Sequence, residues 1–316
     1  MKLITALIGY GYDSKPIIAL DINNIIYLFT MPDCCDRIFF DSCYSIQNVR
    51  HIFLGSRYDE DSGGFLESLF SLLKPWRNEV NITCPKNIKN NFDSSAFFRT
   101  RFNRLKITLS DDQYQDEVMK VSPIVTGKSL SFHIEFNGRP GKFLPKKAIE
   151  LGIKPGPDFK KLQSGETLYN DQGIAVTLND CIGEPIIGET VLMINIKDEN
   201  DIQFIPKNLD GKYDVIVHLT PIEIVNKPEY LVHFPPNDKT KNVCFCFSGR
   251  ISYEKTSKLY QQFVDHSDNL LFPLSTCEDS NNYPKHFINL CTGDSYIFSP
   301  MEKISFVPNK KYQSIQ

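Results

Sequence analysis

Histidine is scarce in this sequence and scattered. His51, His133, His218, His233, His266 and His286 stand singly, and no two have the close spacing that gathers imidazoles around one metal. His133 and His218 fall inside apolar strand patterns, where a buried, hydrogen-bonded ring is expected rather than a ligand. There is no P-loop, no G-x-G-x-x-G and no Ser/His/Asp arrangement of recognisable spacing, so the familiar nucleotide-binding and acyl-transfer signatures are missing. No apolar run approaches the ~20 residues of a membrane-spanning helix. Met1 to Ile8 is mostly apolar, but Gly9 and Gly11 interrupt it, and a signal-peptide core is not expected there. Positive charge is not in excess either. The net charge is −3, so any surface for nucleic acid has to be local. The nine cysteines form no evident framework and read as reduced thiols, which places the chain in the nucleus or cytoplasm. Cys34-Cys35 suits neither a zinc site nor an ordinary disulfide. Cys244-x-Cys246 lies in a strand pattern, but a second pair at zinc-finger spacing is absent.

What is present is an ordinary globular composition over 316 residues, 41% hydrophobic and 23% charged, enough for one large domain or two small ones. Lys2 to Ile8, Ile17 to Asp21 and Ile25 to Phe29 are short apolar runs separated by turn residues and read as a strand meander. Val49 to Leu54 is a further strand. Gly63-Gly64 then precedes a helical pattern from Phe65 to Leu73, which Pro75 stops. Leu130 to Phe136, Thr190 to Ile196, Tyr213 to Leu219 and Val243 to Phe247 read as strands, with helical spacing at Pro221 to Val225 and Tyr253 to Val264. Two more apolar runs follow Asn281. Strands and helices alternate in both halves, so the class is α/β. Between Asn78 and Tyr114 the chain is rich in asparagine. There Arg99, Arg101, Arg104 and Lys106 interleave with Phe97, Phe98 and Phe102. That pattern fits a strand pair with one buried aromatic face, and it also fits a surface that stacks on and pairs with RNA.

The stretch 140–187 has a character of its own. Pro145 can open a short helix over Lys146 to Leu151, and Gly152 suits its end. Pro155-Gly156-Pro157 should make a stiff bend, followed by a short turn from Lys160 to Gln163. Six lysines lie between Lys142 and Lys161 against two acids, Glu150 and Asp158. Phe143, Leu144, Ile149, Leu151, Ile153, Phe159 and Leu162 can supply only a miniature core. Such a segment fits a phosphate-gripping arm and equally a solvated surface loop.

Pro140-Gly-Lys-Phe, Lys146-Lys-Ala-Ile-Glu-Leu-Gly-Ile-Lys-Pro-Gly-Pro, Lys161-Leu and Ser164-Gly-Glu resemble the flexible-arm exosite of tRNase Z. That family of endoribonucleases trims the 3′ trailer from precursor tRNA. The resemblance implies a metallo-β-lactamase-like αββα sandwich formed by 1–139 and 188–316, with 140–187 as an inserted, protruding basic arm that clamps tRNA. It implies RNA-binding roles for Lys142, Lys146, Lys147, Lys154, Gly156, Pro157, Lys160 and Lys161. The family's His-x-His-x-Asp-His motif would fall between Ile52-Phe53-Leu54 and Gly63-Gly64. There this chain reads Ser56-Arg57-Tyr58-Asp59-Glu60-Asp61, in which serine and tyrosine replace imidazole. Asp59-Glu60-Asp61 fits a polar loop capping the next helix, or a drifted metal site.

The long form of tRNase Z resembles two fused copies of the fold, with the arm on the N-terminal copy and the metals on the other. This chain is similar to the N-terminal copy at Tyr27-Leu28-Phe29 with Pro32-Asp33, at Val217-His218-Leu219-Thr220-Pro221 and at Leu271-Phe272-Pro273-Leu274. Residues 78–121 match no block of the family. The resemblance therefore implies a non-catalytic, precursor-tRNA-binding half, without catalytic or metal-binding residues of its own. Its expected partner is a zinc-dependent catalytic half, on the same polypeptide or another, and no membrane is involved. The alternatives are a pseudoenzyme subunit of another RNA-processing complex, and a short-form enzyme using Asp59, Glu60 and Asp61 with distant ligands.

Overall fold

Strands form where the apolar runs lie. A computed structural model describes residues 2–8, 16–31, 46–55, 79–86, 88, 90, 106–138, 140–207, 209, 211–245, 284–290, 295–299 and 302–307. The chain divides into two units, one of Met1–Ile134 with Thr190–Gln316 and one of Glu135–Glu189.

The first sheet of unit 1 begins with β1 (Lys2–Ile8), β2 (Pro16–Ile22) and β3 (Ile25–Leu28), paired antiparallel in sequence. The β2–β3 turn is tight because Asn23 and Asn24 both adopt positive φ, 54° and 68°. The Asn24 N–H donates to Asp21 Oδ1 at 2.8 Å. Beside β3 run β4 (Val49–Phe53), β5 (Glu79–Thr83) and β6 (Lys106–Ser110), all parallel. β16 (Ser295–Ser299) and β17 (Glu302–Val307) complete the order β17-β16-β1-β2-β3-β4-β5-β6.

The second sheet contains β7 (Tyr114–Gln115), β8 (Met119–Thr126), β9 (Ser129–Phe136), β12 (Thr190–Ile194), β13 (Val215–His218), β14 (Lys241–Phe245) and β15 (Ile288–Leu290). Its order is β15-β14-β13-β12-β9-β8-β7, with β12 to β15 parallel. Parallel strands are covered on both faces, which is why Val191 to Ile194 is unbroken apolar sequence and fully buried. On one face Leu192, Ile194, Ile216 and Cys244 pack with Ile224 and Val225 of α3 (Ile222–Val225) and Tyr230 of α4 (Pro228–Leu231). In the first sheet the corresponding outer cluster is Ile17, Ala19, Ile26, Leu28, Ile52, Leu54, Val80 and Ile82. Between the sheets sit three fully buried rings. Phe29 stacks on Phe53 at 4.8 Å, and both meet Phe132 of β9 edge-on at 5.7 and 5.4 Å. Burial of each ring contributes about 2–3 kcal/mol.

Polar order in unit 1 concentrates at Asp116. Its Oδ2 accepts from the Tyr27 and Tyr114 hydroxyls at 2.5 and 2.9 Å, and its Oδ1 from the N–H groups of Val118 and Met119. Arg50 lies 3.6 Å from the carboxylate and also pairs with Glu117. Burial opposes ionisation of Asp116, but the donors outweigh it and hold its carboxyl below the usual range. Tyr27 is fully buried and is pushed well up by burial and by Asp116. Asp116→Ala should therefore cost about 3 kcal/mol, because it strands two tyrosine hydroxyls and two amides. Denaturant unfolding measures it, and an unchanged midpoint would contradict the hub.

Other expectations can be set beside these strands. Leu130 to Phe136 lies in β9, where Ser131 is as buried as its apolar neighbours. It serves a buried hydroxyl network in a central strand. In the asparagine-rich segment β5 and β6 do form a strand pair, and the pairing is parallel. Arg99, Arg101, Arg104 and the phenylalanines among them lie outside the described residues. So do Asp59-Glu60-Asp61, the helical pattern after Gly64, Cys34-Cys35, Cys246 and the pattern at Tyr253 to Val264.

Candidate nucleic-acid interface

The second unit is built from two chain segments laid side by side, then two helices and a hairpin. Phe136 donates its N–H to the Glu189 carbonyl at 3.0 Å, Leu144 to Cys181 at 2.7 Å, and Gly183 to Lys142 at 2.9 Å. Phe143 and Ile182 form an antiparallel bridge. These segments approach closely because glycine lines them. A Cβ on Gly141 would lie 2.0 Å from the Gly183 carbonyl oxygen, and one on Gly188 1.7 Å from that of Phe136.

Helix α1 (Pro145–Glu150) starts with Pro145 in its first turn, where the missing N–H costs nothing. Gly152, at φ +85°, closes it, with Ile153 N–H donating to the Ala148 carbonyl. The proline bend differs from expectation. Pro157 is already helical, so α2 runs Pro157–Gln163 directly from Gly156 at φ +119°. The small core is Ala148, Ile153, Leu162, Val176 and Cys181, with Phe143 edge-on to Phe159 at 5.2 Å. Leu144 and Ile149, expected in that core, are exposed instead. Their apolar character gave no hint of side. Ala148 and Cys181 are small enough to fill the space where the helices meet the returning chain.

β10 (Leu168–Tyr169) and β11 (Ala175–Val176) form the hairpin. Asn170 fastens it. Its Nδ2 donates to the Leu151 carbonyl at 3.0 Å, and its Oδ1 accepts from the N–H groups of Gln172 and Ile174. Thr177 and Asp180 cap the following 3-10 turn reciprocally, and both bonds hold Asp180 below the usual carboxylate range.

The predicted RNA-binding residues all lie in this unit, on α1, on α2 and on the loops flanking them. Lys142, Lys146, Lys147, Lys154, Gly156, Pro157, Lys160 and Lys161 are all exposed. Their pairing differs. Lys161 lies 3.0 Å from Asp158, which raises its ammonium pKa, and Lys154 lies 3.8 Å from Asp171. Lys147 donates to the Ile182 carbonyl, a neutral acceptor, at 3.3 Å. Lys142, Lys146 and Lys160 have no acidic partner among the described residues. Over the whole unit, seven basic residues stand against eight acidic ones. Six of the seven basic residues fall within 142–161, and no basic residue occurs from Leu162 to Glu189.

A different set of groups gathers at the C-terminal ends of the parallel strands of unit 1. The Gly55 carbonyl accepts from Leu130 N–H at 2.5 Å, and a Cβ on Gly55 would meet Asn195 Nδ2 at 2.6 Å. Thr126 donates to the Asn195 carbonyl, Asn195 N–H donates to Ser131, and Ile196 N–H donates to Thr220. His218 is 2.7 Å from the Tyr230 hydroxyl through Nδ1 and 3.1 Å from Asn242 Oδ1 through Nε2. Since Asn242 Oδ1 only accepts, Nε2 carries the proton and Nδ1 accepts from Tyr230. Burial pushes His218 down to about 3. These are neutral amides, hydroxyls and an engaged imidazole, a donor set that does not fit zinc. Among the described residues no group of three or more His, Cys, Asp or Glu could hold a metal ion. His133 is half-buried against the Tyr213 ring.

No family model matches the chain. Its sequence is 26% identical to tRNAse Z TRZ4, mitochondrial, of Arabidopsis thaliana, across 87% of this chain and 37% of that protein. It is 24% identical to tRNase Z TRZ3, mitochondrial, of the same plant, across 71% of this chain and 30% of that protein. A shorter match, 42% identical over 64 residues, is to Ribonuclease Z of Methanosarcina mazei, covering 20% of this chain and 21% of that protein. The crystal structure of a long-form RNase Z from yeast superposes with a TM-score of 0.60 at 12% identity, over 98% of this chain and 50% of that one. The chain thus spans about a third of the two plant proteins and half of the yeast one. Its sequence is homologous to those of tRNase Z (ribonuclease Z) proteins, and it shares its α/β fold with the yeast long-form RNase Z.

Proposed function

We propose that this chain serves tRNA 3′-end processing of the tRNase Z type by holding precursor tRNA, while a separate zinc-dependent half cuts the phosphodiester bond. The observation that carries this reading is the segregated charge of the second unit. Among the described residues Lys142, Lys146 and Lys160 have no acidic partner, Lys147 adjoins Lys146 on α1, and a small core holds both helices. Lysines carried on backbone that is already folded neutralise phosphates without a loop having to order first, and counterion release then favours binding. Gly156 and Pro157 would present the start of α2 to the backbone of the RNA. Homology to tRNase Z proteins supports precursor tRNA as the substrate class.

The catalytic step is assigned to the partner half, where zinc would activate the attacking water. Among the described residues the strand ends named above hold neutral hydrogen-bonding groups, which leaves the cleavage chemistry to that half.

The test is a salt series on precursor-tRNA binding by the full chain. Replacing Lys146, Lys147, Lys160 and Lys161 by alanine should weaken binding at every salt concentration. It should also lower the log–log salt slope by about 3 to 4, roughly 0.7 to 0.9 for each phosphate no longer neutralised. An affinity unchanged by the replacement refutes the reading. Capture from the native source should bring down a tRNase Z catalytic half, whereas an unrelated assembly would favour the pseudoenzyme subunit. Stoichiometric zinc together with cleavage by the chain alone would make it an enzyme in its own right.

A further inference from the structure

Tyr169 is an aromatic residue held out into solvent on a braced support. Its side chain is 73% exposed, and Ile174, on the other arm of the hairpin, is 55% exposed. Among the described residues neither the ring nor the hydroxyl of Tyr169 has a partner. Strand alternation sets this arrangement. Leu168 and its cross-strand neighbour Val176 turn toward the small core, which sends Tyr169 and Ala175 the other way. The residue opposite the ring is thus alanine, too small to cover its face. The support is fixed, because Asn170 bonds to Leu151 at the end of α1 and to two amides of the turn. The one charge in that turn, Asp171, is engaged by Lys154.

We infer that Tyr169 is a stacking platform for RNA, its ring receiving an unpaired nucleobase of the molecule whose phosphates the lysines of α1 and α2 hold. This rests on the tRNA-holding reading. An exposed aromatic ring offers sequence-tolerant stacking, and a rigid support removes most of the ordering cost. Bases within an A-form stem are not available to such a ring, so its partner comes from a loop of the tRNA. Ile174 gives the base edge an apolar neighbour.

The experiment measures binding of the full chain to a precursor tRNA transcript with a 3′ trailer, and to an RNA duplex without loops. Tyr169→Ala should weaken precursor-tRNA binding roughly 10-fold or more, at the upper end about 100-fold, with the salt slope unchanged. It should leave duplex binding and the melting temperature as they are. Tyr169→Phe should stay within about twofold of the parent, since stacking needs only the ring. Tyr169→Trp should bind as well, and RNA should quench the new indole's fluorescence. A Tyr169→Ala affinity within twofold of the parent overturns the inference, as does an equal loss on the duplex or a fall in salt slope. If the lysine replacements weaken binding and Tyr169→Ala does not, the stacking role alone is refuted and the lysine grip stands. If the parent chain fails to bind precursor tRNA at all, the tRNA-holding reading falls with it.

Discussion

Between pH 7 and pH 5 the folded state should lose about 4 kcal/mol of stability through two histidines alone. His51 and His218 are 4% and 2% exposed, and burial pushes both from 6.5 down to about 3. His51 Nε2 is bonded to Thr83 at 2.9 Å, and its Nδ1 is buried without a hydrogen-bond partner. Its ring packs against Tyr114 and Phe53 at 4.0 and 4.4 Å, and among the described residues Asp116 is the nearby charge favouring protonation. Below pH 6.5 the unfolded chain binds a proton at each histidine and the native state does not. Stability therefore rises with pH over this window. Each site costs about 1.4 kcal/mol per unit of pH below 6.5, and the loss is complete near pH 3. Asp116, whose carboxyl is held low, adds a further loss in the same direction below the ordinary carboxylate range. Denaturant midpoints at pH 7 and pH 5 give the comparison. A His218→Gln variant will start less stable, but its loss between those two pH values should be about half that of the parent. Equal midpoints at the two pH values would show that the histidines are not held neutral by burial.

The second large effect lies at the glycines of the inserted unit. Gly188→Ala places a methyl 1.7 Å from the Phe136 carbonyl oxygen, and Gly141→Ala places one 2.0 Å from that of Gly183. Both obstacles are backbone, which cannot swing aside as a side chain can. Either substitution should cost about 3 kcal/mol or more, enough to unpair the two segments. Proteolysis and amide exchange should then rise across residues 135–189 while the strands of unit 1 keep their protection. Precursor-tRNA binding should fall although every lysine is still present. Gly156→Ala is the control, because open space surrounds its Cβ position. Only its φ of +119° is strained, at about 1–2 kcal/mol. Were Gly156→Ala to disrupt the unit as much as Gly188→Ala, close backbone approach would not be the cause.

Much of this architecture could be read along the chain. The runs at Ile17, Ile25, Val49, Thr190 and Tyr213 became strands because β-branched and aliphatic residues cluster there between turn formers. The Asn23-Asn24 turn, the proline start of α1 and the glycine stop at Gly152 each depend on one residue's backbone preference. A single position carries that information whatever surrounds it. The lysines from Lys142 to Lys161 were equally visible, as charge needs no partner to be counted.

Other features had no local signature. Asp116 reads as one acid in a polar stretch, and its importance comes from Tyr27, which lies far away in sequence and reaches it only once β3 and β7 are in place. Which lysines have an acid beside them depended on Asp158 and Asp171 arriving next to Lys161 and Lys154. Leu144 and Ile149 against Ala148 and Cys181 was a question of which face the returning chain would cover. Tyr169 looked like any tyrosine until pairing with Ala175 turned its ring outward. Backbone preference and hydrophobic pattern act within a few residues, so they wrote out the strands, the helix ends and the basic segment. Burial, ion pairing and exposure belong to pairs of distant residues, and only folding brought those pairs together.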